Sequence, residues 1–163
     1  MSSKNLQRML QLAESVFAAK DDPNQLVVDE EVITQLQKLD PNTVSEYVDG
    51  DGPVAWILVI PTSAKLMQRF LKQEISESEL LDLTPTDAPF EAIYLCSALV
   101  LEEYRRKGIV KQLTIQAIET ICNNYPIKSL FVWPFSNEGN LSAQRIADLV
   151  QLPLYKRESF VKE

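Results

Sequence analysis

Chemistry in this sequence is concentrated in Arg105-Arg106-Lys107-Gly108. Three cations precede a glycine, and beyond it the apolar residues recur at helical spacing. Val110, Leu113, Ala117, Ile118 and Ile121 fall on one side, with Lys111, Gln112, Gln116 and Glu119 on the other. The first amides of a helix have no intrahelical partner and point along the axis, where the macrodipole adds partial positive charge. Such a terminus is an anion site, above all for phosphate, and Gly108 lets the backbone approach closely. The local charge agrees. Residues 102–111 carry four basic and two acidic groups, against twelve basic and twenty-one acidic in the rest of the chain. The pattern is neither a P-loop, which needs Gly-Lys-Ser/Thr, nor a GxGxxG dinucleotide fingerprint.

The remaining chemistry is bounded by what the chain lacks. There is no histidine, which removes histidine-ligated zinc, histidine bases and Ser-His-Asp or Cys-His catalysis. Acid–base work falls to carboxylates and tyrosines; Glu102 and Glu103 stand nearest the basic loop and read as exposed. Cys96 and Cys122, without a CxxC, read as two buried free thiols in a reducing cytosol. Tyr94, Trp56 and Trp133 read as core aromatics.

These residues need a frame. Leu6, Met9, Leu10, Ala13, Val16 and Phe17 predict an amphipathic helix over 4–19, ended by Asp21-Asp22-Pro23-Asn24. A second helix is expected over 29–38, with Val32, Ile33 and Leu36 inward. Thr43 to Val48 and Pro53 to Ile60 predict two strands joined by a tight hairpin at Asp49-Gly50-Asp51-Gly52. Helices are expected from Ala64 to Lys72, behind a Ser63 cap, and from Ser76 to Leu81, then a loop over 84–89. The longest apolar run, Ala92 to Leu101, predicts a buried strand feeding the basic loop. Asn123-Asn124-Tyr125-Pro126 closes the following helix. Ser129 to Phe135 is a further strand, Leu141 to Val150 a helix, and 154–161 a last strand. The mixture of an early hairpin with later helical crossovers predicts an α+β domain with a mixed, mostly antiparallel sheet flanked by helices.

The bulk properties are those of one soluble domain: 163 residues, 45% hydrophobic and 24% charged, with net charge −7. An acidic balance argues against non-specific nucleic-acid binding and is compatible with a cationic amine. The first twenty residues carry Lys4, Arg8 and Glu14 without an apolar run, so no signal peptide or membrane span is expected. A cytoplasmic protein without a membrane partner follows, and a homodimer stays open.

Val100-Leu101-Glu102-Glu103-Tyr104-Arg105-Arg106-Lys107-Gly108-Ile109 resembles the coenzyme A signature of the GNAT superfamily of N-acetyltransferases. Its members show a strand ending in Val, a short turn, Tyr-Arg, and an Arg/Gln-x-x-Gly-x-Gly/Ala loop entering a helix. The likeness covers about residues 43–160, and its specific part is 92–122. It implies a single GNAT-like domain, with 1–39 a helical portion and 43–161 the sheet core. It implies acetyl-CoA as acyl donor and no metal. Main chain at Leu99, Val100 and Leu101 would pair with the pantetheine arm. Amides from Arg105 through Arg106, Lys107, Gly108 and Ile109 to Val110 would hold the pyrophosphate. A splay between 92–101 and 129–135 would admit the arm, and Asn137 or Asn140 would contact it. Glu91, at the start of the strand, is the candidate base, and Tyr155, on the last strand, the candidate acid.

Two positions depart from the pattern. Val110 stands where the loop normally has Gly or Ala, and its side chain would crowd the phosphate. Many relatives carry a Tyr about seven residues after the Asn of the late helix; here that place holds Ala147, or Gln144 counted from Asn137. Three readings follow: an acyl-CoA-dependent N-acetyltransferase acting on a small-molecule or protein amine, a non-catalytic or regulatory module of the same fold, and an interaction domain docking through its 1–39 helices.

Overall fold

The computed structural model describes residues 4–20, 26, 30–86, 89–134 and 137–158. Helices α1 (Lys4–Lys20) and α2 (Glu30–Leu39) lead into a hairpin of β1 (Val44–Asp49) and β2 (Gly52–Thr62). Helices α3 (Ala64–Leu71) and α4 (Glu77–Leu83) precede β3 (Ala92–Val100), and α5 (Ile109–Asn124) leads to β4 (Ser129–Val132). Helix α6 (Asn137–Val150) and strand β5 (Leu154–Lys156) complete the order. The predicted stop at 21–24, the loop residues Asp87 and Ala88, the strand end at Phe135 and the tail 159–161 lie outside the described residues, as does the side chain of Phe17.

Five strands form one sheet in the order β1-β2-β3-β4-β5. β1–β2 and β2–β3 are antiparallel; β3–β4 and β4–β5 are parallel. The sheet is therefore mixed and mostly antiparallel, as expected: its two antiparallel ladders are longer than its two parallel ones. The mixture follows from connection length. Gly50, at φ 68°, turns a two-residue hairpin, whereas α5 and α6 carry the chain back across the sheet and return it parallel.

Several boundaries move. β2 runs on through Pro61 and Thr62, because the Pro61 position pairs in register with Ile93 while the turn is made by Ser63, whose hydroxyl caps α3. Thr43 is in a short 3₁₀ turn, Pro41–Thr43, not in β1. β4 ends at Val132, and β5 covers three residues. α6 begins at Asn137, four residues earlier than the apolar spacing suggested.

Alternation along β2 and β3 divides the core into two faces. Leu58, Ile60, Ala92 and Tyr94 pack with Phe70, Leu80, Phe131 and Trp133 beneath α2, α3 and α4. Ile57, Val59 and Ile93 pack with Ile118, Ile121, Leu130 and Ile146 from α5 and α6. A smaller cluster joins Met9 of α1 to Val54, Leu99 and Leu101. Trp133 and Tyr94 are buried as expected. Trp56 is only half-buried, its indole N–H donating to Glu46 at 3.1 Å, because its neighbour β1 is the exposed sheet edge. Cys96 and Cys122 form no disulfide and are half-buried rather than buried. Cys122 packs at the edge of the Ile57–Ile118 cluster, where burial pushes its thiol pKa up.

Candidate functional site

The site begins where two strands part. β3 pairs with β4 from Ala92–Ser129 to Leu95–Val132 and no further. Beyond Leu95, residues 97–100 of β3 remain paired with β2 but have no described partner on the β4 side. The predicted splay is thus a fork opening after Leu95. A bulge marks it: Val59 pairs with Leu95 and Leu58 with Ser97, so Cys96 is the extra residue. Bulges bend a strand and raise its twist, which turns the second half of β3 away from β4.

The open edge has defined donors and acceptors. The Leu101 amide donates to Val54 O at 2.9 Å, so it points toward β2. In an antiparallel pair the groups alternate, so Leu99 also faces β2, while Ala98 and Val100 turn theirs to the open side. Of the three main-chain positions expected to meet an arm, Val100 turns its groups to the open side, and Leu101 and Leu99 turn theirs to β2. Ala98, which sequence reasoning passed over, joins it. Register alternation was the missing signal, and it requires knowing which neighbour β3 bonds.

At the far end of this edge stands the basic loop. Glu102–Tyr104 form a 3₁₀ turn, and Arg105, Arg106, Lys107 and Gly108 are all exposed. Arg106 is held at φ 63° and Gly108 at φ 76°. The first is a left-handed conformation that costs a non-glycine residue about 1–2 kcal/mol. Gly108 is the N-cap of α5, and no side chain caps that terminus; Gln112 N–H makes the first helical bond to Gly108 O, at 3.0 Å. The amides of Ile109, Val110 and Lys111 precede that first helical bond. Val110 does not crowd this end: its side chain is half-buried against the Ile57–Ile118 cluster, because the second position of α5 already lies over the sheet.

Neighbouring charges favour an anion here. Arg8 of α1 bonds Glu103 at 2.6 Å, and that hydrogen bond holds the Glu103 carboxyl below its usual range. Tyr104 donates to Asp49 at 2.7 Å, which raises the phenol's pKa, and Lys107 lies 5.4 Å from the Tyr104 ring centre. One of the loop's two carboxylates is thereby engaged, and its cations stay at the surface.

At the fork itself lies a cluster that no motif announced. Glu77, the first residue of α4, is buried to 4% exposure. Its Oε2 accepts from the Tyr94 hydroxyl and, at 3.8 Å, from the Cys96 thiol; its Oε1 accepts from Leu26 N–H at 2.8 Å. Ser76 sets it in place through a capping box with Glu79. Burial, then the Glu77 charge, pushes the Tyr94 pKa well up, and Arg157 acts in the opposite sense. Arg157, itself 4% exposed, lies between Phe70 and Trp133 at 4.5 and 4.4 Å and donates to Ile75 O at 2.8 Å. In sequence Glu77 is one of twenty-three acidic residues, with no spacing to separate it.

The other expected residues are dispersed. Glu91 precedes β3 at the closed end, its amide donating to Thr62 O at 2.9 Å. It is five residues, about 16 Å, before Cys96. Tyr155, 45% exposed, pairs with Phe131 on the outer strand β5, so β4 stands between it and β3. Asn137 is exposed. Asn140, in the first turn of α6 just beyond β4, has a buried Oδ1 with no hydrogen-bond partner among the described residues. Ala147 is buried, and Gln144 bonds Asp148 at 3.0 Å.

Among solved structures, an aminoglycoside acetyltransferase from an uncultured soil metagenomic sample, in complex with trehalose, is similar with TM-score 0.50. The likeness covers 97% of this chain and 84% of that one at 16% identity. This chain has a GNAT-like fold. A possible acetyltransferase from Clostridium difficile 630 aligns over 99% of this chain and 93% of its own at 18% identity, TM-score 0.44. No protein-family model matches the chain, and no curated protein matches it. The fork, the open edge of β3 and the α5 terminus follow one another along the chain, from Cys96 to Gly108. The edge offers the main-chain groups of Ala98 and Val100, and the α5 terminus offers amides without a side-chain cap. No helix among the described residues is long and apolar enough to cross a membrane.

Proposed function

We propose that this chain is an acyl-CoA-dependent N-acetyltransferase that moves the acetyl group of acetyl-CoA to an amine, of a small molecule or a protein, by direct attack. The observation that carries the reading is the continuous edge from the α5 N-terminus to the β3–β4 fork. It runs about 16 Å from Leu101 to Cys96, with anion donors at one end and free strand groups along it. In this reading the amides from Gly108 to Val110 take the pyrophosphate, flanked by Arg105, Arg106 and Lys107. Ala98 and Val100 pair with the arm, and Asn140 Oδ1 accepts one of its amide N–H groups. The thioester then lies near Cys96.

The chemistry is nucleophilic acyl transfer. The amine nitrogen attacks the thioester carbonyl carbon, the C–S bond breaks, the thiolate leaves, and the nitrogen's surplus proton must be removed. Holding the thioester at the fork contributes by proximity and orientation. An ammonium is drawn to an acidic protein of net charge −7. Glu91 and Tyr155 are on separate elements, so the proposed base and acid act there only if the acceptor bridges them.

A second reading has an observation in its favour. Glu77 and Tyr94, two buried polar groups at the fork, hydrogen-bond each other, and no tyrosine occupies the Ala147 or Gln144 position. A module of this fold that binds acyl-CoA without turnover has that arrangement. Calorimetric titration with acetyl-CoA tests the shared part: wild type binds, and Gly108→Val weakens binding. No wild-type binding removes both readings, and unchanged binding by the variant moves the site elsewhere. Thiol release with a panel of amines then separates enzyme from module.

A further inference from the structure

Glu77 grips β3 on both sides of the point where it leaves β4. Leu95 is the last residue of β3 paired with β4. The residue before it, Tyr94, and the bulged residue after it, Cys96, both donate to the same oxygen, Oε2 of Glu77. The other oxygen holds Leu26 N–H at 2.8 Å. The Tyr94 hydroxyl, the Cys96 thiol and the Leu26 amide thus converge on one buried carboxylate, an arrangement that holds geometry. A bulge leaves its extra residue outside the ladder, and here the buried Glu77 carboxylate on α4 holds that residue by its side chain instead.

We propose that Glu77 is a positioning residue for acyl-coenzyme binding: by clamping Tyr94 and Cys96 it holds the β3–β4 fork open, so that the edge at Ala98 and Val100 is formed before the arm arrives. The inference rests on the coenzyme-binding reading above. Preorganising a site removes an ordering cost that binding would otherwise meet. Loosening the clamp therefore weakens the coenzyme even though Glu77 does not touch it. Cys96, half-buried at the fork, is the reporter.

The test uses the full chain with Glu77→Gln, Tyr94→Phe, Cys96→Ala and Cys96→Ser. Iodoacetamide labelling of Cys96 and Cys122 is read by peptide mass, and acetyl-CoA affinity by calorimetry. Without coenzyme, Glu77→Gln is expected to raise the labelling rate of Cys96 several-fold and leave Cys122 unchanged. With wild type, acetyl-CoA is expected to protect Cys96 but not Cys122. Glu77→Gln is expected to bind about tenfold more weakly, and Tyr94→Phe to move the same way by less. Cys96→Ser keeps a donor to Glu77 and restores near wild-type affinity, whereas Cys96→Ala does not. That rescue would not follow from a merely structural role.

If Glu77→Gln does not fold, the Tyr94→Phe and Cys96 pair decide the matter. Wild-type binding with equal affinity in folded Glu77→Gln, or in both Tyr94→Phe and Cys96→Ala, overturns the clamp and leaves the proposed function standing. Absence of wild-type binding overturns the proposed function and the clamp's role together. Labelling of Cys96 that is indifferent to Glu77→Gln overturns the clamp whatever the coenzyme does.

Discussion

The two ends of the β3 edge are built in opposite ways. At the loop end, charge is displayed: Arg105, Arg106 and Lys107 are exposed, and the α5 terminus is uncapped. At the fork end, charge is enclosed: Glu77 and Arg157 are each 4% exposed and act through fixed hydrogen bonds and ring contacts. An exposed cation is weakly coupled to the fold, because water screens it and long side chains stay mobile. A buried carboxylate is strongly coupled, since any donor it holds is stranded if it is removed. Substitutions at the fork should therefore carry a large stability cost beside any loss of affinity, and those at the loop should act mainly through ligand affinity.

The sharpest break of that contrast is Glu77→Ala. It strands the Tyr94 hydroxyl and the Leu26 amide and leaves a hole, at a cost of about 3–5 kcal/mol, readable as a lower urea midpoint. A loss below about 1 kcal/mol would make the fork no more coupled than the surface. Gly108→Val comes next. A Cβ at Gly108 meets nothing within 4 Å, so the penalty is the left-handed backbone at φ 76°, about 1–2 kcal/mol. Coenzyme affinity should fall further than that stability change accounts for; if it falls no further, α5 does not carry the anion.

Alkaline pH sharpens the comparison at intermediate size. The Tyr94 pKa is raised in the folded chain, so its contribution is complete below its unfolded value of about 10. It is lost as pH rises from there through the folded value. Tyr94→Phe should remove part of the stability decline measured above about pH 10, and an unchanged decline would discharge Tyr94 from that role. The smallest effect belongs to the loop. Arg8→Ala breaks an exposed pair with Glu103 and should cost under about 1 kcal/mol. It frees a carboxylate near the anion site, so coenzyme binding should weaken slightly in low salt and not in high salt.

What the chain alone determined follows from local physics. Helical and strand periodicities predicted every described helix and strand, because apolar spacing records which face each element buries. The basic loop before α5 was readable for the same reason: helix-terminal amides and adjacent cations are neighbours in sequence. Tertiary structure decided the rest. Which main-chain groups of β3 stay free depends on its register with β2, which showed Ala98 and Val100 facing outward instead of Leu99 and Leu101. Val110 was expected to crowd the anion, and only packing over the sheet showed its side chain turned into the core. Glu77 and Arg157 are eighty residues apart and meet the site only through α4 and β5. A side chain's role there is set by the neighbours the fold brings to it, and no local spacing encodes them.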